Sequence, residues 1–256
     1  MIWAIRDGWT ITRRDLLHWR KDPGPVLIGL FFPVMLVLMF GYLFGGGMAV
    51  PGDGDYREFL VPGVFGMVMV FGIEATFTAV AADASKGVTD RFRSLPMAAS
   101  AVVTGRAGAD LLNSFAGLGV MVACGLVVGW RWHDGVGAAL AGLGLLLYLR
   151  FALLWVGIWL GLVVKGPEAI LALQILVWPI GFLSSAFVGP ESMPGWLGTV
   201  AAWNPLSASV SAARDLFGNP NWGGTGHDLL LAVAWPTLIT AVFLPLSVRR
   251  YRRMSR

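Results

Sequence analysis

The sequence predicts an all-α polytopic membrane protein with six transmembrane helices. Of its 256 residues, 56% are hydrophobic and 13% are charged, whereas soluble domains carry about 25% charged residues. The apolar residues fall into blocks of about 20, the helix length that crosses a hydrocarbon core of about 30 Å. The six blocks lie at about residues 25–46, 60–82, 110–130, 138–164, 169–188 and 229–248. They predict one membrane domain over residues 1–256.

The lysines and arginines predict the orientation of these helices. Fifteen of them lie in the N-terminal segment, the second-to-third connection, the fourth-to-fifth connection and the C-terminal tail, against three in the other connections. Cytoplasmic loops of membrane proteins carry the excess of Lys and Arg. Both termini and the loop after the second helix are therefore predicted to be cytoplasmic. The net charge of +4 then reflects topology and contact with anionic lipid, and indicates no nucleic-acid partner.

The N-terminal segment 1–24 has the pattern of an amphipathic helix that lies in the membrane interface. Ile2, Ile5 and Trp9 begin a stripe at helical spacing, and Arg6 lies off that stripe. Such a helix lies in the interface plane with its tryptophans at the level of the lipid headgroups. It is either an ordinary anchor or an element that also gathers a cytoplasmic partner, and both can hold together.

The cytoplasmic connection 83–106 is the most informative polar stretch. The second and third blocks are separated by about 26 residues, whereas a plain helix connection needs about 2 to 8. Lys86 and Asp90 are four residues apart, as are Val88 and Phe92. This spacing predicts a short amphipathic helix that ends before Pro96. The alternative is a solvated basic loop.

The outer segment 189–226 is also long for a plain loop. Apolar residues repeat at helical spacing on both sides of Asn204-Pro205, from Met193 to Val200 and again from Leu206 to Phe217. The pattern predicts two short helices that dip back into the outer leaflet as re-entrant elements. Backbone at that depth has to be covered by protein rather than lipid. The alternative is a flexible loop outside the membrane.

The motifs of these two polar segments resemble those of one family. The loop 83–106 contains Asp83, Lys86-Gly87, Thr89, Arg91-Phe92-Arg93, Ser94-Leu95-Pro96-Met97 and Gly105-Arg106. The outer segment contains S-M-P-G-W-L at 192–197, W-N-P-L at 203–206 and A-R-D-L-F-G at 213–218. In this order and topology they resemble the permease subunits of ABC-2-type exporters, and most closely the daunorubicin-resistance-type drug-efflux permeases. The resemblance extends across the whole chain and implies the fold of type V ABC exporters.

The resemblance implies a role for each polar segment. In that family the loop after the second span is the coupling helix, which docks into a cleft of a separate ATP-hydrolysing subunit. The matching residues here are Lys86, Gly87, Thr89, Arg91, Phe92, Arg93, Leu95 and Pro96. Arg91 and Arg93 would pair with carboxylates of the partner, and Phe92 would fill a pocket. The re-entrant segment would act as an outer gate, with Pro194, Trp196, Asn204, Pro205 and Arg214 as its matching residues.

The sequence contains none of the motifs of an enzyme that would act alone. No G-x-x-x-x-G-K-[ST] phosphate-binding loop is present, so ATP and Mg are expected on a partner subunit. No H-E-x-x-H or G-x-S-x-G motif is present, and His18, His133 and His227 are widely spaced. We therefore expect no catalytic residue, no metal site and no cofactor in this chain.

Two charged residues fall inside the apolar blocks, Glu74 in the second and Arg150 in the fourth. At 1.5 Å per residue, both lie about 20 Å from the outer ends of their helices. A charge in the membrane is costly, and the matched depths predict that Glu74 and Arg150 pair. Either the pair fixes helix packing, or Glu74 faces a transport cavity and recognises a cationic or polar group of the substrate.

A substrate cavity is expected between the second and fifth spans, because in the resembled family these spans face the path between two permease subunits. The candidate lining residues are Phe65, Met69, Glu74, Phe77, Trp178 and Phe182. The alternative is that these aromatic and methionine side chains face lipid or a neighbouring helix.

The expected function is that of the permease subunit of an ATP-driven exporter in the plasma membrane of a prokaryote. A second permease copy or a paralogue, and two copies of a separate ATPase, complete the expected assembly. The resemblance implies a hydrophobic drug or secondary metabolite as substrate. The alternatives are export of a lipid or lipid-linked glycan by the same fold, and an ATP-independent channel or membrane scaffold.

Overall fold

The fold is a bundle of helices throughout the part of the chain that the structure describes. This computed structural model describes residues 24–43, 54–85, 99–222 and 227–253. Within these ranges the regular elements are eight α-helices and one 3-10 turn at Pro190–Ser192, with no strand. The α-helices are α1 (Gly24–Leu43), α2 (Tyr56–Ser85), α3 (Ala99–Val128), α4 (Gly135–Val163), α5 (Pro167–Phe182), α6 (Gly195–Trp203), α7 (Pro205–Phe217) and α8 (Asp228–Arg253). The predicted all-α class is confirmed for these ranges.

Four helices are long and apolar enough to cross a membrane: α2, α4, α8 and the Val103–Val128 part of α3. α1 and α5 are apolar as well but shorter. Each of these six helices overlaps one of the six apolar blocks of the sequence. α3 begins at Ala99, about three turns before the predicted start at residue 110. The added turns are rich in small apolar residues that a helix tolerates, and they carry Asp110 into the helix interior.

α4 is the central helix of the bundle and packs against α2, α3, α7 and α8. Glycines let it approach its neighbours closely. A Cβ atom on Gly142 would lie 2.8 Å from the Phe217 ring, and one on Gly157 would lie 2.9 Å from the Cβ atom of Thr76. Small residues allow membrane helices to bring their backbones together in this way. α4 therefore packs closely against both α7 and α2.

α5 ends at Phe182, before the predicted boundary at residue 188. The backbone N–H of Leu183 donates to the carbonyl of Pro179 at 2.7 Å, and the Ser184 hydroxyl donates to the carbonyl of Gly181 at 2.6 Å. These bonds satisfy carbonyls that the last turn of a helix leaves without a partner. The chain then turns through the 3-10 element into α6.

Two predicted segments fall largely beyond the described part of the chain. The predicted interfacial helix 1–24 lies outside the described residues except for its last position, where α1 begins. Of the loop 83–106, residues 86–98 lie outside them, and the two flanking helix ends are described.

Candidate functional site

The base of the predicted coupling loop is an ion pair between α2 and α3. Asp83, in the last turn of α2, pairs with Arg106 in the second turn of α3, and their side chains are 31% and 18% exposed. The residues predicted to contact the ATPase lie outside the described residues: Lys86, Gly87, Thr89, Arg91, Phe92, Arg93, Leu95 and Pro96. The structure thus fixes the two helix ends between which this loop runs.

A buried polar cluster joins α2, α3 and α4 deeper in the bundle. Arg150 of α4 is 2% exposed. Its Nε donates to the Ser114 hydroxyl at 2.8 Å, and its Nη2 donates to the Thr76 hydroxyl at 2.7 Å and to Asp110 Oδ2 at 3.3 Å. The Thr76 hydroxyl also contacts the Asp110 carboxylate. One guanidinium thereby binds side chains of two other helices.

The prediction that Arg150 pairs with Glu74 is wrong, because the carboxylate partner of Arg150 is Asp110. Gly72 and Thr76 are one turn apart on α2 and both face Arg150. Glu74 lies two residues from each, and residues two apart on a helix point in nearly opposite directions. The matched depth of two residues in the membrane was therefore insufficient to predict that their side chains pair. Sequence reasoning missed Asp110 because it was taken as the first residue of the third span rather than an interior one.

Glu74 lies instead on the face of α2 that is turned away from Arg150. Its Oε1 is buried and has no hydrogen-bond partner among the described residues, and the same holds for the hydroxyl of Thr78. Thr78 is one turn further along α2 and Phe71 is three residues before Glu74, so all three share a face. The Phe71 ring contacts Trp178 of α5, with the ring centroids 5.1 Å apart. This face is directed towards α5.

A row of aromatic side chains follows α5 beside this face. The Trp178 ring stacks on that of Phe182 at a centroid distance of 5.9 Å, and Phe182 stacks on Phe187 at 5.5 Å. Phe32 of α1 approaches Trp178 edge-on at 5.2 Å. Trp178 and Phe182 are 40% and 42% exposed. We call Phe32, Phe71, Trp178, Phe182 and Phe187 the aromatic row.

The predicted cavity residues divide into two groups. Phe65, Met69 and Phe77 are at most 1% exposed and pack inside the hydrophobic core. Side chains that are enclosed in this way leave no surface for a substrate in this conformation, so they do not line a cavity together with Trp178 and Phe182. Sequence reasoning missed Phe32, Phe71 and Phe187 of the aromatic row, and nothing in their spacing distinguishes them from the other phenylalanines.

The segment 183–205, which we call the outer turn after its predicted side of the membrane, contains four of the five residues predicted to form a gate. Pro194 precedes α6, Trp196 is 73% exposed on α6, and Pro205 is the first residue of α7. Asn204 separates the two helices. Its Oδ1 accepts from the N–H of Leu206 at 2.9 Å, while its Nδ2 donates at 2.8 Å to the carbonyls of both Ile180 and Leu183. The two predicted short helices on either side of Asn204-Pro205 are therefore present, and Asn204 fastens them to the end of α5.

Arg214 of α7 fastens the same region from within. It is fully buried, and its three donor nitrogens each lie 2.9 Å from a backbone carbonyl: those of Phe59, Ser185 and Ala186. Its guanidinium carbon lies 3.6 Å above the Phe59 ring, the geometry of a cation–π contact. Arg214 thus joins α2 and the chain after α5 to α7 through the backbone.

A cavity of about 210 Å³ lies next to Arg214. Its lining residues include Ser185, Glu191, Ser207, Ser211, Arg214, Asn221 and Asp228, but most of the surface that lines it is apolar. The Ser185 hydroxyl is buried there without a hydrogen-bond partner in the described part of the chain. A space of this volume is large enough for water. The described residues contain no group of three His, Cys, Asp or Glu side chains that would hold a metal ion.

Comparison with known proteins agrees with the sequence motifs. The family model of the ABC-2 type transporter matches residues 6–217. A daunorubicin resistance ABC transporter permease of Streptomyces coeruleorubidus is 32% identical over 254 residues, which covers 98% of this chain and 88% of the relative. A probable doxorubicin resistance ABC transporter permease of Mycobacterium tuberculosis is 24% identical, with 95% and 87% covered. A putative transport permease of Pyropia yezoensis is 24% identical, with 88% and 77% covered. The chain belongs to the ABC-2 type transporter family of membrane proteins.

Proposed function

We propose that this chain is the transmembrane subunit of an ATP-driven exporter that moves hydrophobic drugs or secondary metabolites out of the cell. The observation that carries the proposal is the nearly full-length similarity to a permease named for daunorubicin resistance, within a chain that belongs to the ABC-2 family. ATP hydrolysis takes place on a separate subunit, since the sequence has no phosphate-binding loop. The chain itself has no cofactor.

The chain crosses the plasma membrane of a prokaryote six times, with both termini in the cytoplasm. The distribution of Lys and Arg supports this orientation. α1 and α5 complete the six crossings together with the four longer helices. α6 and α7 are re-entrant elements of the outer leaflet, and the exposed indoles of Trp196 and Trp203 suit the interfacial level. Residues 1–24 lie along the inner interface.

The loop 83–106 docks into the ATPase subunit and transmits its movement. The Asp83–Arg106 ion pair supports this role because it holds together the two helix ends from which the loop emerges. Within the loop, Phe92 anchors in a pocket of the partner, and Arg91 and Arg93 pair with its carboxylates. Lys86, Gly87, Thr89, Leu95 and Pro96 complete the contact.

The substrate passes along the face of α2 that carries Glu74. The aromatic row offers flat apolar surfaces at this face, and Glu74 Oε1 is without a partner in the described structure. A carboxylate in the membrane is costly unless it meets a cation or a proton. A planar apolar molecule with a cationic or polar group would contact the exposed rings of Trp178 and Phe182 and place that group at Glu74.

Two permease copies and two ATPase subunits form the working complex. Closure of the ATPases on ATP shifts the permeases from an inward-open or occluded state to an outward-open state, by differential binding between two global states. The outer turn around Asn204 and Arg214 closes the exit when the complex is inward-open. The substrate class rests on the named relatives, and no observation favours lipid export or an ATP-independent channel over it.

A pull-down from mild detergent tests the proposal. The tagged chain is purified from its native membrane, its companions are identified by mass spectrometry, and the complex is assayed for ATP hydrolysis. We expect a protein with a phosphate-binding loop at equal stoichiometry, lost in the double variant Phe92→Ala/Arg93→Ala. The matched control is Arg249→Ala, which removes an exposed arginine on the same predicted side, outside the loop. Recovery of the chain without any nucleotide-binding companion would contradict the proposal.

A further inference from the structure

The helices that carry the ends of the coupling loop are joined at two levels. Nearest the loop, Asp83 pairs with Arg106. Deeper in the membrane, Thr76 contacts Asp110. Thr76 lies about two turns from Asp83 on α2, and Asp110 about one turn from Arg106 on α3. α2 and α3 are thereby fastened together immediately above the loop, so a force on the loop acts on both helices.

Arg150 fastens α4 to this pair. Its guanidinium binds Thr76 on α2 and both Asp110 and Ser114 on α3. The donors of a guanidinium project from a rigid planar fork, so these bonds fix the relative orientation of the three helices as well as their separation. Thr76 and Asp110 are 0% and 7% exposed, so water does not weaken the contact. A lysine in this position would keep the charge but would lose the planar arrangement of donors.

The link continues from α4 to the outer turn. Gly142 of α4 lies against the Phe217 ring of α7. α7 carries Arg214, which binds the backbone of α2 at Phe59 and of the outer turn at Ser185 and Ala186. An axial shift or rotation of α4 therefore displaces α7, which carries Pro205 and Arg214 of the predicted gate.

We infer that Arg150 is a positioning residue of the transport cycle: it makes α2, α3 and α4 move as one body, so that movement of the coupling loop reaches the outer turn. The inference rests on the proposed function. Stability alone is a weak explanation for this cluster, because well-packed apolar residues replace a buried ion pair at little or no cost in stability in many proteins. What apolar residues do not reproduce is the fixed orientation that the fork imposes.

The test uses the complex with the co-purified ATPase. It distinguishes an effect of Arg150 on the stability of the protein from an effect on the transmission of movement to the outer turn. Replacing the ion pair as a whole, Arg150→Met/Asp110→Leu, leaves no unpaired buried charge. The remaining hydroxyls keep backbone acceptors, since Thr76 lies 3.0 Å from the Gly72 carbonyl and Ser114 donates to the Asp110 carbonyl at 2.8 Å. The matched control is Tyr148→Phe, which removes a contact of α4 with α8.

Movement of the outer turn is read by cysteine labelling, which needs no knowledge of the substrate. Cys124 is the single cysteine of the sequence, so Cys124→Ser gives a background in which Thr199→Cys, at an exposed position of α6, is the single thiol of this chain. The rate of labelling by a water-soluble maleimide is measured with and without ATP and vanadate. ATP hydrolysis by the same samples is measured in parallel.

We expect ATP to change the labelling rate at least about fivefold in the background protein, the lower range of allosteric couplings. Tyr148→Phe should retain that change. The double variant should retain the ATPase subunit and hydrolyse ATP but lose the change. Retention of the change in the double variant, or no change in a background complex that hydrolyses ATP, would overturn the inference.

A second variant keeps the inference testable if the double variant does not assemble with the ATPase. Arg150→Lys keeps the charge opposite Asp110 but loses the fork, and here too loss of the labelling change supports the inference and retention overturns it. Failure of the proposed function has a different signature, because the background protein itself would then purify without an ATPase.

Discussion

α2 presents two faces to the rest of the protein, and the faces differ in how their polar groups are satisfied. On the face towards α4, Thr76 and the Nε and Nη2 atoms of Arg150 are hydrogen-bonded across three helices, while Nη1 of Arg150 is buried without a described partner. On the face towards α5, Glu74 Oε1 and the Thr78 hydroxyl are buried without a described partner. Buried polar groups in proteins are nearly always paired. The first face therefore holds three helices together through several hydrogen bonds, whereas the proposed ligand-binding role of the second face remains to be tested by mutation.

The largest expected effect is a loss of stability on the face of α2 towards α4. Arg150→Met leaves the Asp110 carboxylate buried without its cation, which costs about 3 to 5 kcal/mol in free energy of unfolding. Thermal unfolding in detergent, monitored as the loss of monodisperse protein, measures this change in stability. The double variant Arg150→Met/Asp110→Leu should recover most of the lost stability. An Arg150→Met protein as stable as the native one would remove the distinction between the two faces.

Crowding the same face should have the next largest effect. A Cβ atom on Gly157 would lie 2.9 Å from the Thr76 Cβ atom and 3.2 Å from the Ile73 carbonyl oxygen, so Gly157→Ala should cost about 1 to 3 kcal/mol in stability. Gly144→Ala is the matched control on the same helix, because a Cβ atom there meets nothing within 4 Å. It should be neutral or stabilising by up to about 1 kcal/mol. Equal thermal stability of the two variants would show that α2 and α4 do not pack this closely.

On the face of α2 towards α5 we expect a change in substrate preference and little change in stability. Glu74→Gln keeps the shape of the side chain and removes its charge. Transport of doxorubicin, whose amino group is charged, should fall at least about tenfold, or about 1.4 kcal/mol, relative to its uncharged N-acetyl derivative. The measurement is ATP-dependent uptake of both compounds into everted vesicles. An equal loss for the two compounds would assign Glu74 to packing.

The smallest effect is expected at the base of the predicted coupling loop. The Asp83–Arg106 pair is partly exposed, and pairs of that kind contribute at most about 1 kcal/mol to stability. Asp83→Asn should therefore unfold within a few degrees of the native protein. A loss of stability as large as that of Arg150→Met would make the loop base, rather than the buried cluster, the main attachment between α2 and α3.

The sequence predicted the helices well and the side-chain pairing poorly, for a physical reason. Apolar blocks long enough to cross a membrane identify helices directly, and Asn204-Pro205 marked the break between α6 and α7 because proline begins a helix readily. Pairing depends in addition on direction around each helix axis. Depth alone matched Arg150 with Glu74, whereas the carboxylate that faces Arg150 is Asp110, which the underestimated length of α3 had placed at a helix end.

The predicted substrate residues show the same limit. Aromatic side chains on α2 are equally apolar in sequence, so the enclosed rings of Phe65 and Phe77 could not be told apart from that of Phe71, which contacts Trp178. Only the packing of α5 and α1 against α2 separates them. The motif singled out Arg214, yet its three backbone acceptors lie on distant parts of the chain and could not be read from the residues around it.

The most direct test of the proposed exporter is uptake of doxorubicin by everted membrane vesicles that contain this chain and its co-purified ATPase. The account predicts accumulation of doxorubicin that requires ATP, requires both subunits and is abolished by Phe92→Ala/Arg93→Ala. Accumulation that is independent of ATP, or ATP hydrolysis by the assembled complex without any uptake of doxorubicin, would contradict it.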